Sequence, residues 1–239
     1  AAMVKELREK TDAPMMECKK ALSESNGDLE KAEEILRVKL GSKASKTASR
    51  ITAEGIIAIA TNETKASMVE INCETDFVAK NDDFIKFANE IAEIALNVES
   101  SDVESLSKIK ATNGQTVEEY RSALIGKIGE NITIRRFVDL CSTGSFYSYL
   151  HGNKIGVVLD LVGGNESLGK DIAMHIAAMK PKAVRTTDVD TNLIEKEKRV
   201  AREKASESGK PQEIMDKMVN GAIKKFLREV SLYGQVFVK

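Results

Sequence analysis

Residues 68–96, MVEINCETDFVAKNDDFIKFANEIAEIAL, change hydrophobic period part-way along. Val69, Ile71 and Cys73 alternate with Glu70, Asn72 and Glu74, the two-residue period of a half-buried strand. Farther on, Phe84, Phe87, Ala88, Ile91, Ile94 and Ala95 recur at three- and four-residue spacing. That spacing predicts a helix with one apolar face, capped by Asn81 or Asp82. A strand that passes into an amphipathic helix calls for a fold mixing sheet and helix. At the junction lie Thr75, Asp76, Phe77 and Val78. Apolar residues placed directly after a strand either fold back on the core or are offered to a partner. The pattern alone leaves both open.

The chain has 239 residues, enough for one large domain or two or three small ones. Hydrophobic residues make up 42%, which supports a packed core and argues against wholesale disorder. The net charge of −1 sets up no global field toward nucleic acid or an acidic membrane. Tryptophan is absent and aromatics are 5%, which argues against a stacking platform for single strands. Cys18, Cys73 and Cys141 are too few and too scattered for a disulfide framework or a zinc site. No apolar run approaches membrane-spanning length, and the first residues do not read as a signal peptide. A cytoplasmic protein is the resulting expectation.

The first 40 residues read as three short helices, with breaks at Thr11-Asp12-Ala13-Pro14 and Ser25-Asn26-Gly27-Asp28. Met15 and Met16 come directly after the first break, where they serve either the core or a partner. Residues 41–52 begin small, polar and basic and read as a linker. Residues 53–143 form an α+β unit: a strand in EGIIAIAT, a turn at 62–65, the strand and helix of residues 68–96, a helix over 117–129 and a strand over 132–140. Residues 144–183 repeat that plan weakly, as a hairpin turning at His151-Gly152-Asn153-Lys154 and a helix from Leu168 to Met179. Residues 184–228 are densely charged and predict a projecting helical hairpin. Residues 231–239, SLYGQVFVK, resume a strand-like pattern, and residues 229–239 rejoin the second core unit, which would then be truncated.

Little here supports catalysis. Gly164 to Asp171, GNESLGKD, has the glycine and lysine spacing of a phosphate loop between a strand and a helix. Asp171, however, stands where a hydroxyl should meet magnesium, and Glu166 adds a second negative charge. The alternative to a nucleotide-binding enzyme is a glycine turn with Asn165 or Ser167 as helix cap. The two histidines, His151 and His175, assemble no nucleophilic triad by spacing, and no calcium loop is present.

TDFVAKND and the residues around it, 69–85, closely resemble a signature of the elongation factor Ts family. LREKTDAPMMECKKALSESNGDLEKAEEILR is similar to that family's other signature. KIGENITIRR, HGNKIGVVLDL, DIAMHIAAMKP and GKPQEIMDKMVNGAIKKFLREVSLYGQ come after it in the family's order. The resemblance implies an α+β fold with a ubiquitin-associated-like (UBA-like) three-helix module, a two-part α+β core and an inserted antiparallel coiled-coil hairpin. It implies a guanine nucleotide exchange factor for elongation factor Tu, binding that partner in its GDP-bound and nucleotide-free forms. No cofactor, direct nucleic-acid contact, membrane contact or catalytic residue is implied. Thr75, Asp76, Phe77 and Val78 match the segment that intrudes beside the partner's magnesium and phosphate site. Lys5, Met15, Met16 and Lys19 match the contacting stretch of the N-terminal module, and His151 matches a contact from the second core unit. The resemblance allows a homodimer through that unit. It leaves open whether Asp76 acts on magnesium directly or holds the turn that aims Phe77.

Overall fold

The computed structural model describes residues 2–11, 13–98, 102–142 and 144–239. The chain divides into two compact units, Ala1–Gly164 and Asn165–Lys239. Both are built from helices and antiparallel strands or helices alone, an α+β protein as expected from the alternating periods.

In the first unit β1 (Glu54–Thr61) and β2 (Lys65–Cys73) form a hairpin, and β3 (Ile132–Cys141) pairs with β2 from the other side, all antiparallel. The Asn62 side chain closes the turn by accepting from the Thr64 and Lys65 N–H groups at 3.0 and 2.7 Å. Gly55 is required: a Cβ there would lie 2.2 Å from the Ile71 carbonyl oxygen. Ile56, Ala58 and Ala60 of β1 and Val69, Ile71 and Cys73 of β2 point into one core. Helix α4 (Asp76–Ala79) comes after β2, and α5 (Asp82–Ala95) covers the sheet with Phe84, Phe87, Ala88, Ile91, Ala92 and Ala95. Burying each of the larger of these stabilises the fold by roughly 1.5–3 kcal/mol. The Ser67 hydroxyl donates to the Ala92 carbonyl at 2.6 Å, tying helix to sheet. Of the weakly patterned residues before 113, 99–101 lie outside the described residues, and α6 (Val103–Ser107) is a short helix capped by Asp102. Helix α7 (Val117–Ile128) opens on a Thr116/Glu119 capping box and ends at Gly129 in the left-handed conformation.

The N-terminal helices α1 (Ala2–Thr11), α2 (Met15–Glu24) and α3 (Leu29–Thr47) enclose their own core of Leu7, Cys18, Ala21, Leu22, Ala32, Leu36 and Leu40. Asp12, in the first expected break, lies outside the described residues. The expected linker needs correction, because α3 continues through Gly41 to Thr47. Packing overrides the linker-like composition. Leu40 and Ala44 are buried, and Leu40 seats against Gly126 of α7, where a Cβ would lie 2.1 Å from its Cδ2. Arg37 pairs with Glu119 on the same contact.

A second hairpin, β4 (Ser145–His151) with β5 (Ile155–Leu161), forms its own two-stranded sheet. It is fastened to the first by the Ile57 N–H donating to the Asn153 carbonyl at 2.8 Å. Gly156 lies under Ile57, with room for no Cβ.

In the second unit α8 (Glu166–Met179) starts at the Asn165 cap. Helices α9 (Thr191–Ser206) and α10 (Gln212–Val230) pack through the small cluster Ala201, Ala205, Val219 and Ile223. The strand expected over 231–239 does not form. Ser231 makes one parallel bridge with Ala183, then Gly234 and Gln235 donate back to the Ser231 carbonyl as a turn. His175, buried on α8, secures residues 237 and 238: its Nδ1 accepts from the Val238 N–H at 3.2 Å and its ring stacks on Phe237.

Candidate functional site

Strand β2 runs out of hydrogen-bonding partners at its C-terminal end. The β2–β3 ladder places Cys73 opposite Ile132, and its register would next oppose Glu74 to Asn131 and Thr75 to Glu130. The chain instead turns into α4, so side chains take over the ladder. Glu130 Oε2 accepts from the Glu74 and Thr75 N–H groups at 3.2 and 3.0 Å, and its Oε1 accepts from the Thr75 hydroxyl at 2.7 Å. In return Glu74 Oε1 accepts from the Asn131 N–H at 2.6 Å. The Arg50 guanidinium donates to Glu74 Oε1 at 3.4 Å and to the Gly129 carbonyl at 3.2 Å. Asn131, almost fully buried, donates to the Ala48 and Arg50 carbonyls.

This frame presents α4, a single turn. Thr75 is its N-cap, with extended backbone and its hydroxyl accepting from the Val78 N–H at 3.4 Å. One turn of helix is not stable by itself, so its anchors matter. Val78 is 8% exposed and Ala79 5%, and both belong to the main core. Phe77 is 81% exposed. The two residues of the Phe-Val pair therefore part company: Val78 folds back on the core and Phe77 stands exposed. Asp76 lies at the first helical position and pairs with Lys80 at 2.8 Å, on the outside. That hydrogen bond and charge hold the Asp76 carboxyl below its ordinary range, with the more distant Lys154 adding in the same direction. The cap is Thr75, so Asp76 does not close the turn from within.

The His151–Lys154 turn lies at the same end of the sheet. Lys154 pairs with Glu54, the residue opposite Cys73 in the β1–β2 ladder. His151 is exposed, its Nδ1 3.2 Å from the Tyr149 hydroxyl. In the N-terminal module Met15 and Met16 are 57% and 61% exposed, so neither is core; Cys18, Ala21 and Leu22 fill that role. Lys19 is exposed one turn after Met15. Lys5 pairs loosely with Glu9 along α1 at 3.7 Å.

The glycine loop before α8 is not arranged for phosphate. Its helix terminus is closed by Asn165 Oδ1 accepting from the Leu168 N–H at 2.9 Å, and Lys170 is paired with Glu166 at 2.5 Å. Among the described residues no three His, Cys, Asp or Glu side chains gather as a metal site, and no helix is long and apolar enough to cross a membrane. Sequence reasoning missed Glu130, Asn131 and Arg50. The signal for the first two was Gly129: a helix C-cap immediately before a strand fixes where the next two side chains emerge.

A family described as "Elongation factor TS" matches residues 74–239. The chain is 60% identical over 242 aligned positions to elongation factor Ts of Aromatoleum aromaticum, spanning all of this chain and 81% of that protein. It is 59% identical over 239 positions to elongation factor Ts of Burkholderia thailandensis, again over all of this chain and 81% of the relative.

Proposed function

The chain belongs to the elongation factor Ts family, and we propose that it accelerates release of GDP from elongation factor Tu during translation elongation, in the cytoplasm. The observation that carries the mechanism is Phe77, a large apolar side chain held almost bare on a turn whose next two residues are core. Exposing such a ring is unfavourable in isolation and favourable once a partner covers it.

GDP on its carrier is held largely by magnesium and by backbone N–H groups around its phosphates. A rigid aromatic wedge entering between helices that carry those groups displaces them. Burial of the ring then stabilises the displaced, GDP-releasing conformer. The factor and GDP each favour a different conformer, so each weakens the binding of the other. Asp76, outward beside Phe77, adds a carboxylate near the partner's magnesium and phosphates. Thr75 and Val78 serve the same contact from beneath, as cap and anchor. His151 extends the contact from the neighbouring turn, and Lys5, Met15, Met16 and Lys19 form a second contact on α1 and α2. In this reading α1–α3 are a UBA-like docking module and α9–α10 a coiled-coil arm. The chain supplies no cofactor and no covalent chemistry.

The test is release of labelled GDP from elongation factor Tu, with and without this protein. Acceleration that saturates with its concentration is the expected result; an unchanged release rate refutes the proposal. A nucleotide site on the Gly164–Asp171 loop would instead show as saturable binding of GDP or ATP to this chain alone.

A further inference from the structure

We propose that Glu130 is the positioning residue for the exchange turn: its carboxylate stands in for the missing ladder partner of β2 and fixes the direction in which Phe77 leaves the fold. The inference rests on the exchange reading above and assigns a role to a residue that is hydrogen-bonded to Glu74 and Thr75, at the start of the turn.

The geometry is reciprocal. Thr75 and Glu130 would be ladder partners if both strands continued, yet β2 ends at Cys73. Without a substitute, the Glu74 and Thr75 N–H groups would lack an acceptor at a half-buried position. One carboxylate accepts from both and also from the Thr75 hydroxyl. That last bond orients the hydroxyl so that its lone pair faces the Val78 N–H and caps α4. The carboxylate therefore sets the start of the turn, while Val78 and Ala79 in the core set its end. Phe77 lies between two fixed points. Glu130 in turn has little freedom, because the residue before it is the left-handed cap of α7 and the residue after it is buried Asn131. Cys73 records the same closeness: burial first, and the Glu130 charge second, push its thiol up to about 11.

Contact with the partner needs the ring already aimed. If the start of the turn is loose, docking elsewhere is retained but the ring enters its target less often, a loss of pre-organisation and not of contact area. Loss of Glu130 should therefore lower the maximal rate of GDP release at saturating factor, with little change in the concentration giving half that rate. A general loss of folded protein would do the reverse, raising the half-saturating concentration at an unchanged maximum.

The experiment compares the wild-type chain, E130A and F77A on elongation factor Tu carrying fluorescent GDP, across factor concentrations. Amide hydrogen exchange and thermal unfolding are measured on the same samples. For E130A the expected results are a maximal release rate about tenfold lower, a half-saturating concentration within about threefold, and faster exchange of the Glu74 and Thr75 amides. A wild-type maximal rate in E130A, alongside a lost rate in F77A, overturns the role of Glu130 and leaves the wedge standing. A wild-type rate in F77A refutes the wedge and this inference with it. If E130A does not fold, T75V decides by the same readouts, since it removes the hydroxyl through which Glu130 acts on the cap, together with the cap bond to Val78. A wild-type maximal rate in T75V then overturns the inference.

Discussion

Replacing Phe77 with alanine separates function from fold more cleanly than any other change in this chain. A phenylalanine carries roughly 150–250 Å² of surface. With 81% of it exposed, roughly 120–200 Å² is left for a partner to cover. At about 25 cal/mol per Å² that is ~3–5 kcal/mol. Alanine keeps the Cβ, and the wedge also does work against the partner's helices, so the net loss is about 2–3 kcal/mol, the range of an interface hot spot. If that energy stabilises the GDP-releasing conformer, stimulated release should slow by a factor of roughly 30–150. The free protein should hardly notice, because the side chain is mostly exposed; stability should stay within about 0.5 kcal/mol of wild type. The assay is fluorescent-GDP release at saturating factor, paired with chemical denaturation. Release within twofold of wild type would refute the wedge. A stability loss above about 1 kcal/mol would instead mean that the ring packs against this chain, contrary to its exposure.

Two further perturbations test the frame behind the turn. Gly126→Val drives side-chain atoms into Leu40, which lies within reach at Cδ2, Cγ and Cβ alike. Overpacking of about 1–3 kcal/mol outweighs the gain in helix propensity of under ~1 kcal/mol; a lower unfolding midpoint with faster amide exchange over residues 40–47 is expected, and unchanged exchange there would count against α3 being held by α7. The cysteines should also separate. In the native protein an alkylating reagent should modify exposed Cys141 and spare buried Cys18 and Cys73. Burial and the Glu130 charge raise the Cys73 thiol from 9.0 to about 11, so the folded chain keeps a proton that the unfolded chain releases between those values. That stabilisation is complete below pH 9 and is lost as pH rises toward 11, at most about 2–3 kcal/mol. A Cys73→Ser variant should lose less stability over that window, as tracked by denaturant midpoints; an equal loss would remove Cys73 as the cause.

Most secondary structure was legible because it is written in short-range periods. The hairpin of β1 and β2, the amphipathic α5 with its Asn81 cap, and α7 with Gly129 at its end each arise from residues within a few positions of one another. Two segments were misread for one reason. Residues 41–47 have linker composition but are helical because Leu40 finds Gly126, and 231–239 alternate like a strand but, among the described residues, make only the one bridge of Ser231 to Ala183 before turning. Phe77 was visible as an anomaly and not as an answer, since the alternatives for it and Val78 differ only in which of two adjacent side chains meets the core.

Local pattern by itself determined the kinds of element, their order and the presence of an apolar pair at the most constrained turn of the chain. Tertiary structure decided which member of that pair is exposed, and which residue holds the turn. The reason is one of range. A hydrophobic period belongs to a single segment, whereas Thr75 and Glu130 are 55 residues apart and meet only because β2 and β3 pair in one register. No inspection of either segment contains that register. Once it is formed, the bare end of β2 needs an acceptor, and the carboxylate that supplies it aims Phe77 outward.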